Sequence, residues 1–323
     1  MRILVVRNDG LGDLILTLPS ISWLRKESPG SQITVLVSSK TKDILWNNKD
    51  IDEVMIDHKE NVLSLARRLK QKRFDVSYVL FPSLRNSLAC FLAKIPSRVG
   101  TGYKASGIFF NKKMFIHRTK VIHHESEYCL KIVGCHNPSI ETPCIHVKDE
   151  DREYARGLLS GENADFDFLV GVHPGSRSSL NLGPNNYAKL IDLLFEKHKI
   201  RAVITGSKDD RETIDEVFSN IKTNPINLYG KTDLSQLIGL FSFYKIFIGG
   251  ATGPMHLASS LGIKTIALFP PIISQSKEKW HPLGDYIAIT PDIDCKKKIC
   301  TKRCKDYNCM DKIELDRILK IIH

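Results

Sequence analysis

Short apolar runs alternate with amphipathic segments along the chain, and the alternation happens twice. In the first half, residues 2–7, 33–37, 53–56, 74–81 and 98–100 read as buried strands. Segments 13–26, 61–70, 84–93 and 124–133 have helical spacing, with a short helix at 41–47. The first of these carries Leu14, Leu18, Ile21 and Leu24 on one face, with Pro19 inside it as an interruption. Between residues 134 and 150 the pattern loosens around Pro138 and Pro143. A second alternation follows, with strands at 168–172, 201–205, 245–248, 265–269 and 286–290. Its helices fall at 149–160, 184–198, 209–219, 234–241 and 313–322. A β-α-β-α order implies parallel sheets with helices on both faces. The expected fold is α/β: two Rossmann-like domains, 1–155 and 156–323, facing across a cleft. The last helix is a candidate to pack back on the first domain.

Three turns at strand ends carry the candidate chemistry. The richest is Gly249-Gly250-Ala251-Thr252-Gly253-Pro254-Met255-His256, which leads into a short helix closed by Gly262. Thr252 or Gly253 suits the cap, Pro254 the first turn and Gly262 the stop. Free N–H groups at such a helix start favour phosphates, with His256 one turn in. A second turn, His173-Pro174-Gly175-Ser176-Arg177, offers hydroxyls and a cation suited to a diphosphate. A third, 205–210, is again polar. The first turn of the chain, Gly10-Leu11-Gly12-Asp13, is only part of a dinucleotide fingerprint, because Ile15 occupies the third glycine position. The second strand ends without an acid for a ribose, which argues against a nicotinamide or flavin. Asp13 reads as a helix cap or as a general base.

Composition narrows the setting. No apolar run approaches the ~20 residues of a membrane span, and residues 1–7 read as a strand, so an intracellular protein is expected. The formal charge of +11 (47 Lys and Arg, 36 Asp and Glu) points to an anionic partner or to solubility alone. No recognition motif accompanies it, so nucleic acid is not expected. Cys295, Cys300, Cys304 and Cys309 cluster among lysines. Their spacings are not those of usual zinc sites, and thiols or disulfides are the main reading, a metal the lesser one. Their cations could face an anionic membrane surface or form a solvated loop. His123-His124 lie next to each other on a helix and so point in different directions. Asp292-Ile293-Asp294 reads as a loop.

Taken in order, Gly12-Asp13 with Leu16-Thr17-Leu18-Pro19, then His173-Pro174-Gly175, then Thr252-Gly253-Pro254-Met255-His256-Leu257-Ala258 with Leu261-Gly262, resemble glycosyltransferase family 9, the lipopolysaccharide heptosyltransferase-like enzymes. The resemblance covers essentially the whole chain. It implies a GT-B architecture with the donor held mainly by the second domain and the acceptor by the first. It also implies inverting transfer that needs no metal or cofactor, from a nucleotide sugar, typically ADP-heptose, onto an anionic lipid-linked inner-core acceptor at the inner face of the cytoplasmic membrane. By the same resemblance Asp13 is the base, with Gly10 and Gly12 shaping the acceptor-side turn. His173, Gly175, Ser176, Arg177, Thr252, Gly253, Pro254, Met255 and His256 are the donor-binding set. Two positions depart from the family pattern. Ala251 stands where the family usually has an aspartate that helps hold the donor sugar. Residues 179–184 lack the family's usual Lys and Trp, and Arg177 is the positional substitute for that Lys. These departures leave two rival readings: a diverged or non-catalytic GT-B protein that binds a sugar nucleotide, and a nucleotide-sugar epimerase or hydrolase.

Overall fold

A computed structural model of the chain describes residues 1–118, 123–176, 179–293, 295, 304 and 308–322. It divides into two compact units, Met1–His146 and Val147–His323.

The first unit contains β1 (Arg2–Val6), β2 (Gln32–Ser38), β3 (Glu53–Asp57), β4 (Val76–Val79), β5 (Ser97–Thr101) and β6 (Lys112–Met114). Its helices are α1 (Leu11–Ile15), α2 (Leu18–Glu27), α3 (Val62–Lys72), α4 (Leu84–Leu92) and α5 (Glu125–Ile132). All six strands are parallel, in the order β3-β2-β1-β4-β5-β6. β1 is central: Ile3, Leu4, Val5 and Val6 are fully buried, as expected of a strand covered on both faces. The segment expected as one interrupted helix is two helices. Pro19 stands in the first turn of α2, which Thr17 precedes as cap residue. Proline has no N–H to lose there and starts a helix rather than kinking one. The expected short helix at 41–47 is a 3-10 turn, Lys42–Leu45.

The second unit runs α6 (Asp149–Gly161), β7 (Leu169–His173), α7 (Pro184–His198), β8 (Val203–Ile204), α8 (Arg211–Asn220), β9 (Ile226–Asn227), α9 (Leu234–Phe241), β10 (Tyr244–Gly250), α10 (Gly253–Ser260), β11 (Lys264–Leu268), α11 (Lys277–Trp280), β12 (Tyr286–Ile289) and α12 (Leu315–Leu319). Its sheet is also parallel, in the order β12-β11-β10-β7-β8-β9. Both sheets therefore have the doubly wound order 3-2-1-4-5-6. In each, the strand order reverses beside the first strand, between β1 and β4 and between β7 and β10. Open α/β sheets hold ligands outside the carboxyl ends of the strands at that point.

Two boundary expectations change. A break at 155 would cut α6 in half, whereas α6 lies wholly in the second unit and packs along α9. Gly239 makes the close approach possible: a Cβ there would stand 2.4 Å from the Asp151 carbonyl oxygen. Ser235 Oγ donates to the Asp151 carboxylate, and Tyr154 Oη donates to the Lys231 carbonyl at 3.0 Å. The terminal helix α12 belongs to the second unit. Ile318 and Leu319 join the core of the second, with Leu190, Ile191 and Leu194 of α7, and Lys197 pairs with Asp316 at 2.8 Å. Among the described residues no helix is long and apolar enough to cross a membrane.

Substituting Gly239→Ala should lower the stability of the second unit by about 1–3 kcal/mol through overpacking. Urea titration followed by hydrogen exchange should show that α6 and α9 lose protection together.

Candidate functional site

At the end of β1 the chain places an arginine where the apolar run stops. Arg7 is only 2% exposed, and a buried guanidinium has to be compensated. Its Nε faces the Asp9 carboxylate at 3.0 Å, and its Nη2 bonds to Asp13 and lies 3.5 Å from Glu125. Its Nη1 donates to the Leu80 carbonyl, just past β4, at 3.1 Å. Glu125, at the start of α5, is also bound by Arg118. Burial works against the charge on Arg7. The neighbouring Cys129, Asp9, Asp13 and Glu125 outweigh it and hold the arginine above its ordinary pKa. Burial pushes the Cys129 thiol up as well, so that thiol stays protonated and the carboxylates are the effective counter-charges. Burial raises Asp9 to about 6, with Asp13 adding to the shift and Arg7 opposing it.

Asp13 sits in the first turn of α1, where its carboxylate also suits the helix dipole. Its side chain keeps 29% of its surface exposed, so it can reach a ligand while held by Arg7. Its carbonyl accepts from Thr17 Oγ1 at 2.9 Å. Gly10 precedes α1, and a Cβ there would stand 2.8 Å from Asp13 Oδ2. That glycine supplies room for the carboxylate rather than unusual backbone angles, since its φ is −88°. Gly12 lies inside α1, its carbonyl accepting from the Leu16 N–H at 2.9 Å. Asn8 extends the network to Asp57 and Asn86, and Arg85 grips Asp57 with two hydrogen bonds of 2.9 and 2.8 Å. Arg7, Asp9 and Glu125 are partners that sequence pattern alone does not bring out. The available signal was a cation ending an apolar strand, followed within six residues by two acids.

The second switch point is built differently. His173 ends β7 and pairs in register with Gly249 of β10, so the 173–176 turn and the Gly250–Gly253 turn lie side by side. Thr252 is the cap residue of α10, though its hydroxyl leans to the Gly250 carbonyl at 3.3 Å rather than capping. Gly253 and Pro254 open the helix, and Gly262 closes it at φ +77°, the left-handed stop that glycine favours. Met255 is fully buried, with its N–H bonded to the Thr252 carbonyl at 3.1 Å. It is a core residue and presents no contact group. His256 is buried one turn into the helix.

The 173–176 turn is not a cradle of cations. His173 Nδ1 lies 3.0 Å from Thr205 Oγ1. Burial lowers its pKa to about 4, against the opposing pull of Asp210, so it is neutral at pH 7. Gly175 lies against the Asp210 carboxyl, which a Cβ would meet at 2.4 Å. Asp210 in turn accepts from the Ser207 N–H and hydroxyl at 2.7 and 2.6 Å, so the 205–210 turn spends its polar groups on itself. Ser176 Oγ donates to the Ser179 carbonyl at 2.6 Å. Arg177 lies outside the described residues. Asn181 fixes the loop by donating to the Pro174 carbonyl at 2.5 Å and accepting from Tyr187 Oη at 2.6 Å.

Of the cysteine run, Cys295, Cys304 and Cys309 are among the described residues. Cys309 is buried in the second core, Cys295 and Cys304 are partly exposed, and Cys300 lies outside the described residues, as does Asp294. Among the described residues no three His, Cys, Asp or Glu side chains converge as metal ligands. His124 caps α5, its Nδ1 accepting from the Ser126 N–H at 3.3 Å, while His123 pairs with Glu127 at 2.8 Å.

The sequence model of glycosyltransferase family 9 (heptosyltransferase) matches residues 62–310. The chain belongs to this family. It is 27% identical over 277 residues to lipopolysaccharide heptosyltransferase 3 of Escherichia coli K12, covering 80% of this chain and 79% of that one. Two solved structures share the fold. One is a family 9 glycosyltransferase from Veillonella parvula, with TM-score 0.83 and 24% identity over 99% of this chain and 95% of that one. The other is E. coli ADP-heptose lipopolysaccharide heptosyltransferase II, with TM-score 0.78 and 20% identity over 100% and 98%. The two Rossmann-like units are thus those of a GT-B glycosyltransferase, and this family 9 enzyme is heptosyltransferase-like.

Two outcomes follow for this family 9 chain. The unfolded chain protonates His173 near pH 6.5 and the folded one only near 4. The unfolded state therefore binds more protons between those values. The His173 contribution to stability is full above about 6.5 and is lost as pH falls towards about 4. NMR titration of the His173 ring should give the low value, and His173→Asn should flatten the acid limb of the stability curve. In the first unit, Arg7→Met should cost about 3–5 kcal/mol by leaving buried carboxylates without their cation. Asp9→Asn should leave stability at pH 7 unchanged or raised, because the folded state already favours a neutral group there. Denaturant melts of the two variants separate these cases.

Proposed function

We propose that the chain is an inverting, metal-independent heptosyltransferase that moves heptose from ADP-heptose to an anionic lipid-linked glycan of the lipopolysaccharide inner core. The observation that carries this reading is the state of Asp13. It is a carboxylate at the β1 switch point, anchored through Oδ1 by a buried arginine yet partly open to solvent. In the proposed step Asp13 takes the proton of an acceptor hydroxyl as that oxygen attacks the anomeric carbon. The bond from that carbon to the diphosphate breaks, and ADP leaves with the electron pair. Arg7 fixes where the Asp13 carboxylate points, which a positioned base needs. Arg7 is the positioning residue of this base.

For the leaving diphosphate the reading relies on the start of α10, with Thr252, Gly253 and Pro254, and on the adjoining 173–176 turn with Arg177. His173, being neutral, can serve there as a hydrogen-bonding group and not as a cation. The named ADP-heptose of the E. coli structural relative supports the donor, and the E. coli lipopolysaccharide heptosyltransferase supports the acceptor class. Ala251 offers the donor sugar only a methyl group, so this enzyme must hold the heptose hydroxyls by other groups. The net positive charge suits an anionic acceptor and work at the inner face of the cytoplasmic membrane.

Thermal shift with ADP, UDP and GDP should give a large stabilisation with ADP alone. Asp13→Asn should keep that shift and lose roughly 10²–10⁴-fold in transfer of labelled heptose. Near-normal turnover by the variant would remove Asp13 as the base, and a chain that binds no nucleotide would be a non-catalytic relative.

A further inference from the structure

Helix α4 buries its small residues: Asn86, Ser87, Ala89 and Cys90, the last two in the apolar core of the first unit. Its large apolar residues, Leu84, Leu88, Phe91 and Leu92, recur at i, i+4, i+7 and i+8, one helical stripe, in which Leu88 is half-buried and the other three are exposed. Leu84 is 59% exposed, Phe91 47% and Leu92 38%. The 3-10 turn Ala105–Phe109 continues this surface. Phe109 lies 5.6 Å from Phe91, ring centre to ring centre, and Ile108 beside it is 72% exposed. Arg98 covers the Phe91 ring at 5.4 Å.

The sequence through this stripe is one-sided in charge, although Arg85 is paired with Asp57 and Glu60 and Arg118 with Glu125. From Val76 to His124 the sequence has no aspartate or glutamate and eight lysines and arginines, in a protein whose whole excess is +11. Lys94, Lys104, Lys112 and Lys113 are all exposed. Lysines on an edge strand such as β6 guard against strand addition. That accounts for Lys112 and Lys113 but not for apolar side chains turned outward on α4 and its neighbouring turn. Monomeric surfaces seldom leave such contiguous apolar area without a partner. A second copy would bring the same unbalanced cations to the contact and be repelled. An interface whose outer layer is anionic and whose inner layer is apolar matches both properties at once.

We propose that the α4 stripe, the Ala105–Phe109 turn and the flanking lysines form the surface by which this chain docks on an anionic lipid bilayer, with Phe91 and Ile108 entering the headgroup boundary. This rests on the peripheral-membrane part of the proposed function and gives it a location other than the cysteine- and lysine-rich segment near the C-terminus.

Co-sedimentation of the full chain with phosphatidylglycerol vesicles and with pure phosphatidylcholine vesicles tests it. The wild-type chain should bind the first and not the second, and release in high salt. Phe91→Ser with Ile108→Ser, and separately Lys112→Glu with Lys113→Glu, should each weaken binding by more than about tenfold, with melting curves and the ADP shift unchanged. Two independent pairs keep the test sound should one of them disturb folding. Variants that bind like wild type would overturn this surface while leaving the peripheral reading intact. A wild-type chain that ignores both vesicle types would overturn the two together. Self-association abolished by the Phe91 and Ile108 changes, with vesicle binding untouched, would assign the face to a second copy and overturn the proposal.

Discussion

A guanidinium buried at the end of the first strand is the constraint on which the first unit depends. Arg7 follows four fully buried apolar residues and cannot reach water, so its charge has to be met by the protein. Two of its counter-charges are local, Asp9 and Asp13. The third, Glu125, comes from the start of α5, and a carbonyl just past β4 takes a further bond. The sheet's switch point is thereby pinned from three elements, and the same contacts fix the reach of Asp13. Among the described residues two guanidinium groups, Arg7 and Arg118, face three carboxylates. Burial raises Asp9 to about 6, so the cluster makes this acid easier to protonate than it is in the unfolded chain.

The second unit meets the same sheet topology with the opposite electrostatics. Its switch point is lined by groups without formal charge: the helix start at Thr252–Gly253, the glycines of β10, and a histidine that burial keeps neutral. Asp210 lies behind Gly175, so a diphosphate in that turn would meet a carboxylate behind the glycine. Among the described residues, attraction for an anion then comes from oriented backbone dipoles more than from side-chain charge. One unit holds a charged acid network suited to moving a proton, and the other a neutral, dipolar edge suited to a phosphate. The proposed transfer relies on that division.

The two alternations of apolar and amphipathic segments were enough to define both parallel sheets, because central strands buried on both faces leave continuous apolar runs such as residues 3–6. Of the four edge strands β3 and β12 were legible, and β6 and β9 were not. β6 is three residues with two lysines and β9 is two, too short for any periodicity. Pro19 was visible as an interruption, but whether it kinks one helix or begins another depends on Leu16 and Thr17 closing α1, which is a tertiary outcome. Asp13 and the Thr252–His256 turn were legible because glycines and caps mark them locally. Glu125 was not, since ion pairing across 118 residues leaves no local pattern, and Arg7 and Asp9 left only a cation and an acid at a strand end. The neutral state of His173 was hidden for the same reason: it follows from burial, which a motif does not report. The unit boundary moved because α6 owes its place to Gly239, far along the chain from its contact Asp151.

Helix α4 shows how one site can dictate a distant surface. Asn86 must face inward, because its amide donates to Asn8 Oδ1 at 2.7 Å and to the Phe81 carbonyl at 3.1 Å, which holds the turn that carries Asp9 and Asp13. Ser87 bonds inward to the Ser83 carbonyl at 2.9 Å. With those positions fixed, residues three and four apart on the other face must point to solvent. Leu84, Leu88, Phe91 and Leu92 stand on that side, in a stretch stripped of acids. Phe91 finds partners in Phe109 and Arg98, and the apolar surface left over is the part that the proposed bilayer contact would cover.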